Sequence, residues 1–292
     1  MVEIRPIRPE ELPARKGLWK AAFGDDDAYI DWFDRCCGGE AETLGVVEDG
    51  ALVSMLTLLP HTLTLPGGGE ASARYIYALA TDPAARSKGY GRQLLRWTDS
   101  YLDGRGVDCI TVVPAEAGLF KFFGTVGFSP RFSTRKVELL KTMLKPPAEG
   151  DWAGPVEPAE YNAIRERLLA GLPAVRYPEF LIRLQQGLGS LSGGGLYRVE
   201  AGGVEGCAAA EYVDGESVLF KELLLPPEQM GRGLAVLEPL LPGRRCYVRP
   251  PAGWEGMPGS YLQPFAMLKW YDPEKEARWG EDTHGYMGLG FD

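Results

Sequence analysis

One stretch limits the fold of this chain more than any other. Residues 71–81 are apolar and β-prone, residues 82–89 form a loop, and from Tyr90 to Asp103 the apolar residues recur at helical spacing. A strand that ends in a glycine turn at the head of an amphipathic helix is a unit of α/β architecture. The turn itself reads Arg86-Ser87-Lys88-Gly89-Tyr90-Gly91-Arg92. The first amides of a helix have no intrahelical partner, and the helix dipole is positive there, so such a turn is suited to a phosphate. Gly89 and Gly91 remove side chains from the approach, while Arg86 and Lys88 add positive charge. A lone Gly-x-Gly is also what an ordinary connecting loop shows, so its surroundings carry the argument. The turn lacks the third glycine of a dinucleotide fingerprint and the Gly-Lys-Ser/Thr end of a nucleotide P-loop.

The rest of the chain supplies those surroundings. Residues 2–8 read as a strand, 10–23 and 25–36 as helices, and 43–48 and 51–59 as strands joined by Asp49-Gly50, a type I′ hairpin signal. In the strand 71–81, strict alternation sets Tyr75, Tyr77, Leu79 and Thr81 on one face and Arg74, Ile76, Ala78 and Ala80 on the other. Residues 107–113 read as a strand, 116–124 as a helix and 128–140 as extended chain. Residues 146–155, rich in Pro, Gly and charge, read as a linker. Beyond it come helices at 157–170 and 177–188, a hairpin across Gly202-Gly203, a strand at 217–225, a helix at 233–241 and a strand at 245–249. The two halves share this order, which points to an internal duplication. The expected domains are 1–145 and 156–292 of an α/β (α+β) protein, each a mixed, mostly antiparallel sheet flanked by helices. A length of 292 residues agrees, at ~150 residues per domain.

Composition narrows the function classes. A net charge of −9 argues against a nucleic-acid partner, whose binding depends on neutralising phosphates. No apolar run approaches the ~20 residues of a membrane span, and no signal peptide is visible, so a cytoplasmic location is expected. The five cysteines form no Cys-x-x-Cys pair and there are two histidines, so reduced thiols and no metal site are expected.

Leu79-Ala80-Thr81-x-Pro-x-x-Arg86-x-x-Gly89-x-Gly91, followed by Leu119-Phe120-Lys121-Phe122-Phe123-Gly124-Thr125-Val126-Gly127-Phe128, resembles the two central motifs of the GNAT superfamily of acyl-CoA-dependent N-acyltransferases. The resemblance covers residues 1 to about 140. It implies acetyl-CoA as co-substrate, with its pyrophosphate on the amides of Ser87, Lys88, Gly89, Tyr90, Gly91 and Arg92. The main chain of Leu79, Ala80 and Thr81 would pair with the pantetheine arm, beside a bulge that splays this strand from the next. A main-chain amide near Leu79 would polarise the thioester, and a neutral small-molecule or peptidic amine would attack it directly. The family often places a tyrosine as acid where this chain has Phe123, which is expected to contact the cofactor without a proton to give, and some members place a glutamate where it has Tyr75 and Tyr77. Those two tyrosines are therefore candidates for substrate or proton contacts, or else strand aromatics. His61 is a candidate base, and Trp19, Trp32 and Phe33 are candidate pocket residues or core.

The second half resembles a further GNAT unit that has lost its turn. At Leu223 to Gly233, Pro226 and Pro227 lack amide donors and Glu228 repels phosphate, so no cofactor site is expected there. The tandem layout is similar to the enhanced-intracellular-survival type of acetyltransferase, in which a terminal carboxylate serves as base, a role that would fall to Asp292; otherwise the apolar tail 284–292 is a final strand docked in the second domain. Three readings follow: an acetyl-CoA-dependent N-acetyltransferase, a non-catalytic CoA-binding sensor or scaffold, and a peptidyl or aminoacyl transferase, which the acidic charge and intact turn disfavour. The sequence does not settle the acceptor, the acyl length or whether the protein is a monomer or a homo-oligomer.

Overall fold

The structure, a computed structural model, describes residues 1–144 and 146–291. The elements run β1 (Val2–Pro6), α1 (Leu12–Phe23), α2 (Asp27–Cys37), β2 (Glu42–Glu48), β3 (Ala51–Thr64), β4 (Glu70–Thr81), α3 (Tyr90–Asp103), β5 (Cys109–Val112), α4 (Ala117–Gly124) and β6 (Ser129–Leu140). They continue with β7 (Trp152–Pro155), α5 (Pro158–Leu168), β8 (Ala174–Arg176), α6 (Glu179–Ser192), β9 (Gly195–Ala201), β10 (Val204–Asp214), β11 (Ser217–Leu224), α7 (Pro227–Leu237), β12 (Arg245–Val248), β13 (Tyr261–Trp270) and α8 (Pro273–Trp279). Local chemistry accounts for many boundaries. Gly24 ends α1 with φ 77°, Asp26 caps α2 by accepting from the Tyr29 amide at 2.9 Å, and Asp49-Gly50 turns the β2–β3 hairpin with φ 50° and 86°.

Two compact units result, and they are not consecutive segments. The first comprises Met1–Leu65, Gly69–Pro130 and Met267–Glu281; the second comprises Pro66–Gly68, Arg131–Ala266 and the residues from Asp282 on. In the first, β1, β2, β3 and β4 are antiparallel neighbours, β4 pairs with β5 in parallel, and β5 pairs antiparallel with Met267–Trp270 of β13. In the second, β7, β9, β10 and β11 are antiparallel neighbours, β11 pairs with β12 in parallel, and β12 pairs antiparallel with β6. The two sheets share one pairing pattern, in line with the duplication. The sixth strand of each unit comes from the other half of the sequence.

This corrects the expected cut. Residues 131–140 of β6 complete the second sheet, and residues 267–281 complete the first. Residues 152–155, expected to be linker, form β7, an edge strand on β9. The proline that argued for a linker closes that edge strand, a position where its missing N–H is tolerated. The helix expected at 233–241 instead spans Pro227–Leu237, with proline in its first turn.

In the first unit, α3 and α4 cover one sheet face with Leu94, Leu95, Leu102 and Phe123 over Leu56, Leu58, Ile76 and Ile110. In the second, α7 covers the corresponding face with Leu234 and Leu237 over Val199, Val218, Phe220 and Val248.

Candidate active site

The site begins as a defect in β4. Thr57 lies opposite Tyr77 and Met55 opposite Ala80, so two residues of β4, Ala78 and Leu79, face Leu56 alone. Ala78 takes φ 52°, a left-handed value uncommon for a side chain with a Cβ. This bulge overturns the strict alternation read from the sequence. Past Ala78 the faces exchange: Leu79 packs with Ile76 against the α3 side, and Ala80 continues the face of Tyr75 and Tyr77. The parallel ladder with β5 stops at Ile76↔Val112, directly before the bulge. Tyr77 to Thr81 therefore keep their β3 neighbours while their other edge opens, among the described residues.

The open edge leads into the turn. Asp82 caps a short 3-10 turn, Pro83–Ala85, by accepting from the Ala84 amide at 2.8 Å. Ser87 and Gly89 take φ 66° and 80°, which bends the loop back to the head of α3. Gly89 stands at the cap position and no side chain caps the helix, so its first-turn amides face outward without a protein acceptor from a capping group. A Cβ on Gly89 would meet only Gln93 Nε2 at 3.8 Å, and one on Gly91 only Thr81 Oγ1 at 3.6 Å. The room over the helix head is thus real, and bare amides with this clearance fit a pyrophosphate.

The charges around the turn are arranged less simply than the sequence suggests. Arg86 is exposed and its Nε lies 3.5 Å from the Thr81 carbonyl, at the limit of a hydrogen bond. Lys88 Nζ is held 2.9 Å from Glu48 Oε2, and the Tyr90 hydroxyl donates to the other oxygen of Glu48. These two donors push the Glu48 carboxyl below its usual range. Sequence reasoning missed Glu48, which sits at the end of β2 far from the motif. Arg92 reaches Thr125 Oγ1 at 3.3 Å, after α4.

The other candidates sort by burial. Tyr77 is half-buried, stacked on Phe33 at 5.4 Å and edge-on to Trp19 at 5.6 Å, and its hydroxyl bonds that of Tyr29. Burial, then the Tyr29 phenol, push its pKa well above the usual tyrosine value, so it keeps its proton. Tyr29 was not singled out from sequence; its place three residues past the Asp26 cap was the available signal. Tyr75 is buried behind Tyr77, with ring centroids 6.0 Å apart. Trp19 and Phe33 are core, each 1% exposed, while Trp32 is half-buried under Arg35. His61 is buried, between the Leu59 carbonyl and Thr111 Oγ1, and desolvation lowers its pKa to about 3. A histidine held neutral so firmly is a poor base. Phe123 lies in the core, edge-on to Phe122 and Phe128. Asp292 lies outside the described residues.

The second unit carries the same defect differently finished. Ala210 lies opposite Phe220 and Ala209 opposite Glu222, so Lys221 is the extra residue, and the ladder with β12 stops at Phe220↔Val248. Only Leu225 and Pro226 then separate β11 from α7. Gly231 and Gly233 lie inside the helix, not at its head, and Gly233 packs against Leu225. Asp151 binds the Arg232 guanidinium at 2.7 and 2.8 Å and accepts from the Gly202 amide at 2.9 Å.

The family model of the acetyltransferase (GNAT) domain matches residues 3–130. Several solved structures are similar over almost the whole chain, among them these three. A probable N-acyltransferase from Enterococcus faecalis V583 has 13% identity and a TM-score of 0.75, over 94% of this chain and 74% of that one. Eis1 from Mycobacterium abscessus has 17% identity and a TM-score of 0.67, over 94% and 74%. A tandem GNAT protein from the clavulanic acid biosynthesis pathway has 14% identity and a TM-score of 0.58, over 93% and 99%. Comparison with curated proteins gives no significant sequence match. No helix among the described residues is long and apolar enough to cross a membrane. The bulged strand and the glycine turn both fall inside the segment that matches the acetyltransferase (GNAT) domain, residues 3–130, and the chain as a whole shares the fold of the tandem-GNAT structures.

Proposed function

We propose that the first unit is an acetyl-CoA-dependent N-acetyltransferase in which a neutral amine attacks the thioester directly. The observation that carries this reading is the continuity of the open edge of β4, from the Ala78 bulge, with the uncapped head of α3 at Gly89. Acetyl-CoA supplies the activated acetyl thioester; the chain supplies position and charge. The amides from Ser87 to Arg92 meet the pyrophosphate, with Arg86 and Lys88 adding charge, and Leu79, Ala80 and Thr81 pair with the pantetheine arm. An amide beside Leu79 donates to the thioester oxygen as negative charge develops there. Tyr77, which keeps its proton, donates a hydrogen bond to the departing sulfur, with Tyr29 behind it and Tyr75 fixing its ring. An alkylamine has a pKa of about 10.4 in water, so the acceptor sheds its proton to solvent before attack.

Calorimetric titration of acetyl-CoA tests the cofactor, expected at micromolar affinity and one site per chain. No binding up to millimolar cofactor would remove the proposal. Tyr77→Phe is expected to lower kcat about 10- to 100-fold at unchanged cofactor affinity. The second reading, a CoA-binding sensor or scaffold, draws on Phe123, a core residue with no proton to give. Binding with no CoA release across a panel of amines would favour it.

A further inference from the structure

The split in the second unit does not stand open. Its β11 lip carries Glu222, fully buried, which accepts from Arg165 Nε of α5 at 2.9 and 3.0 Å and from the Tyr161 hydroxyl at 2.6 Å. Its β12 lip runs out at Arg249, whose amide still donates to the Phe220 carbonyl at 3.1 Å. Residues 285–291 lie against both lips. The Tyr286 hydroxyl donates to the Arg249 carbonyl at 3.3 Å, and Gly288 sits so close to Glu222 that an added Cβ would overlap Oε1. The Met287 carbonyl accepts from the Tyr177 hydroxyl at 2.9 Å and from Arg165 Nη2 at 3.4 Å. The main chain of the segment is paired as well: the Gly285 amide donates to Arg131, the Tyr286 amide to Pro173, and the Val175 amide to the Tyr286 carbonyl. Tyr286, Met287, Leu289 and Phe291 are all buried.

We infer that the split of the second unit is a receptor for an extended, apolar, glycine-bearing peptide, and that residues 285–291 of this chain are its ligand. The reasoning is chemical. The segment's main chain pairs with Arg131, Ser133, Pro173 and Val175, while the two lips meet it through Glu222 at Gly288 and the Arg249 carbonyl at the Tyr286 hydroxyl. Glu222 and Arg165 form a buried pair whose remaining donors need acceptors, and the Met287 carbonyl provides one. Selectivity sits at Gly288, which has φ 75° and no space for a side chain against Glu222. The inference rests on the observed fold and contacts, not on the proposed acetyl transfer.

The test uses the full chain and needs no cofactor. Hydrogen exchange is followed over residues 285–291 in the wild type and in Gly288→Ala. A fluorescent peptide of sequence Thr-His-Gly-Tyr-Met-Gly-Leu-Gly-Phe, residues 283–291, is then titrated into each. Exchange in the segment is expected to rise about 100-fold in Gly288→Ala, from left-handed strain and overpacking, with α3 and β4 unaffected. The peptide is expected to bind that variant one-to-one and to ignore the wild type, whose receptor is filled. Tyr177→Phe, which leaves the fold intact by removing one hydroxyl, is expected to raise segment exchange about tenfold. Unchanged exchange in either variant would overturn the inference, as would a Gly288→Ala protein that releases the segment yet binds no peptide at millimolar concentration.

Discussion

The passage from β4 to α3 and the passage from β11 to α7 are the same structure made twice for different ends. Both strands follow an antiparallel partner, both carry a one-residue bulge, and both leave their parallel neighbour at that bulge. In the first passage residues 82–89 intervene before the helix, with Ser87 and Gly89 left-handed and the helix head bare. In the second, Leu225 and Pro226 suffice, and no residue from 225 to 233 takes positive φ among those described. The splayed strand is therefore a property of the topology, while a phosphate site depends on a loop long enough to turn amides outward. Removing that loop frees the second passage for packing, and a buried ion pair with its peptide segment fills the split.

The same substitution in both passages gives the largest expected contrast. Gly89→Glu should weaken acetyl-CoA by about 100-fold or more, through charge repulsion at the amides and strain at φ 80°. Gly231→Glu, on the exposed face of α7, should leave the titration unchanged. Equal losses from both would refute the distinction between the two passages. Next come the ion pairs. Arg165→Met strands a buried carboxylate and should cost about 3–5 kcal/mol in denaturant unfolding of the second unit. Lys88→Met breaks the exposed pair with Glu48 and should leave Tm where it was.

Acid should separate the units more gently. Of the two histidines, His61 in the first unit is buried with its pKa lowered to about 3, and His284 in the second is exposed. Folding that depresses a base's pKa means the unfolded chain binds the extra proton. The first unit's stability is then full above about pH 6.5 and falls by up to about 1.4 kcal/mol per unit as pH drops toward 3. Exchange measured from pH 7 to pH 4.5 should show it, and His61→Leu should flatten the slope; an unaltered slope would remove His61 as its source. The smallest effect is at Glu48. Glu48→Gln releases Lys88 and removes a negative charge beside the turn, so acetyl-CoA should bind about two- to fivefold tighter at low salt, an advantage that added salt erodes. A weaker titration would show instead that Glu48 holds the turn in shape.

Much of the local structure is legible in the sequence. The glycine at 89, the Asp49-Gly50 hairpin and the stop at Gly24 are demands of single residues on φ, and these survive any tertiary setting. The shared order of elements in the two halves was legible too, because hydrophobic periodicity reports on each element separately. The candidate site was only half legible. Its amides follow from the turn, but Glu48, Tyr29 and the exchange of faces at Ala78 arise where distant strands and helices meet. No period in the sequence announces a bulge, so Leu79 was assigned to the wrong face.

Which residues begin a helix, reverse a hairpin or bare an amide was determined by the sequence alone, since steric limits on φ and unpaired helix amides act within a few residues. Which strand completes which sheet was decided only by the tertiary structure. β6 and Met267–Trp270 of β13 pair across long separations with β12 and β5, and such pairing depends on which edge is unsatisfied when the sheets form. The same holds for the second split. Glu222, Arg165 and Gly288 are far apart in the chain, and only the low-dielectric interior that brings them together makes their contact specific.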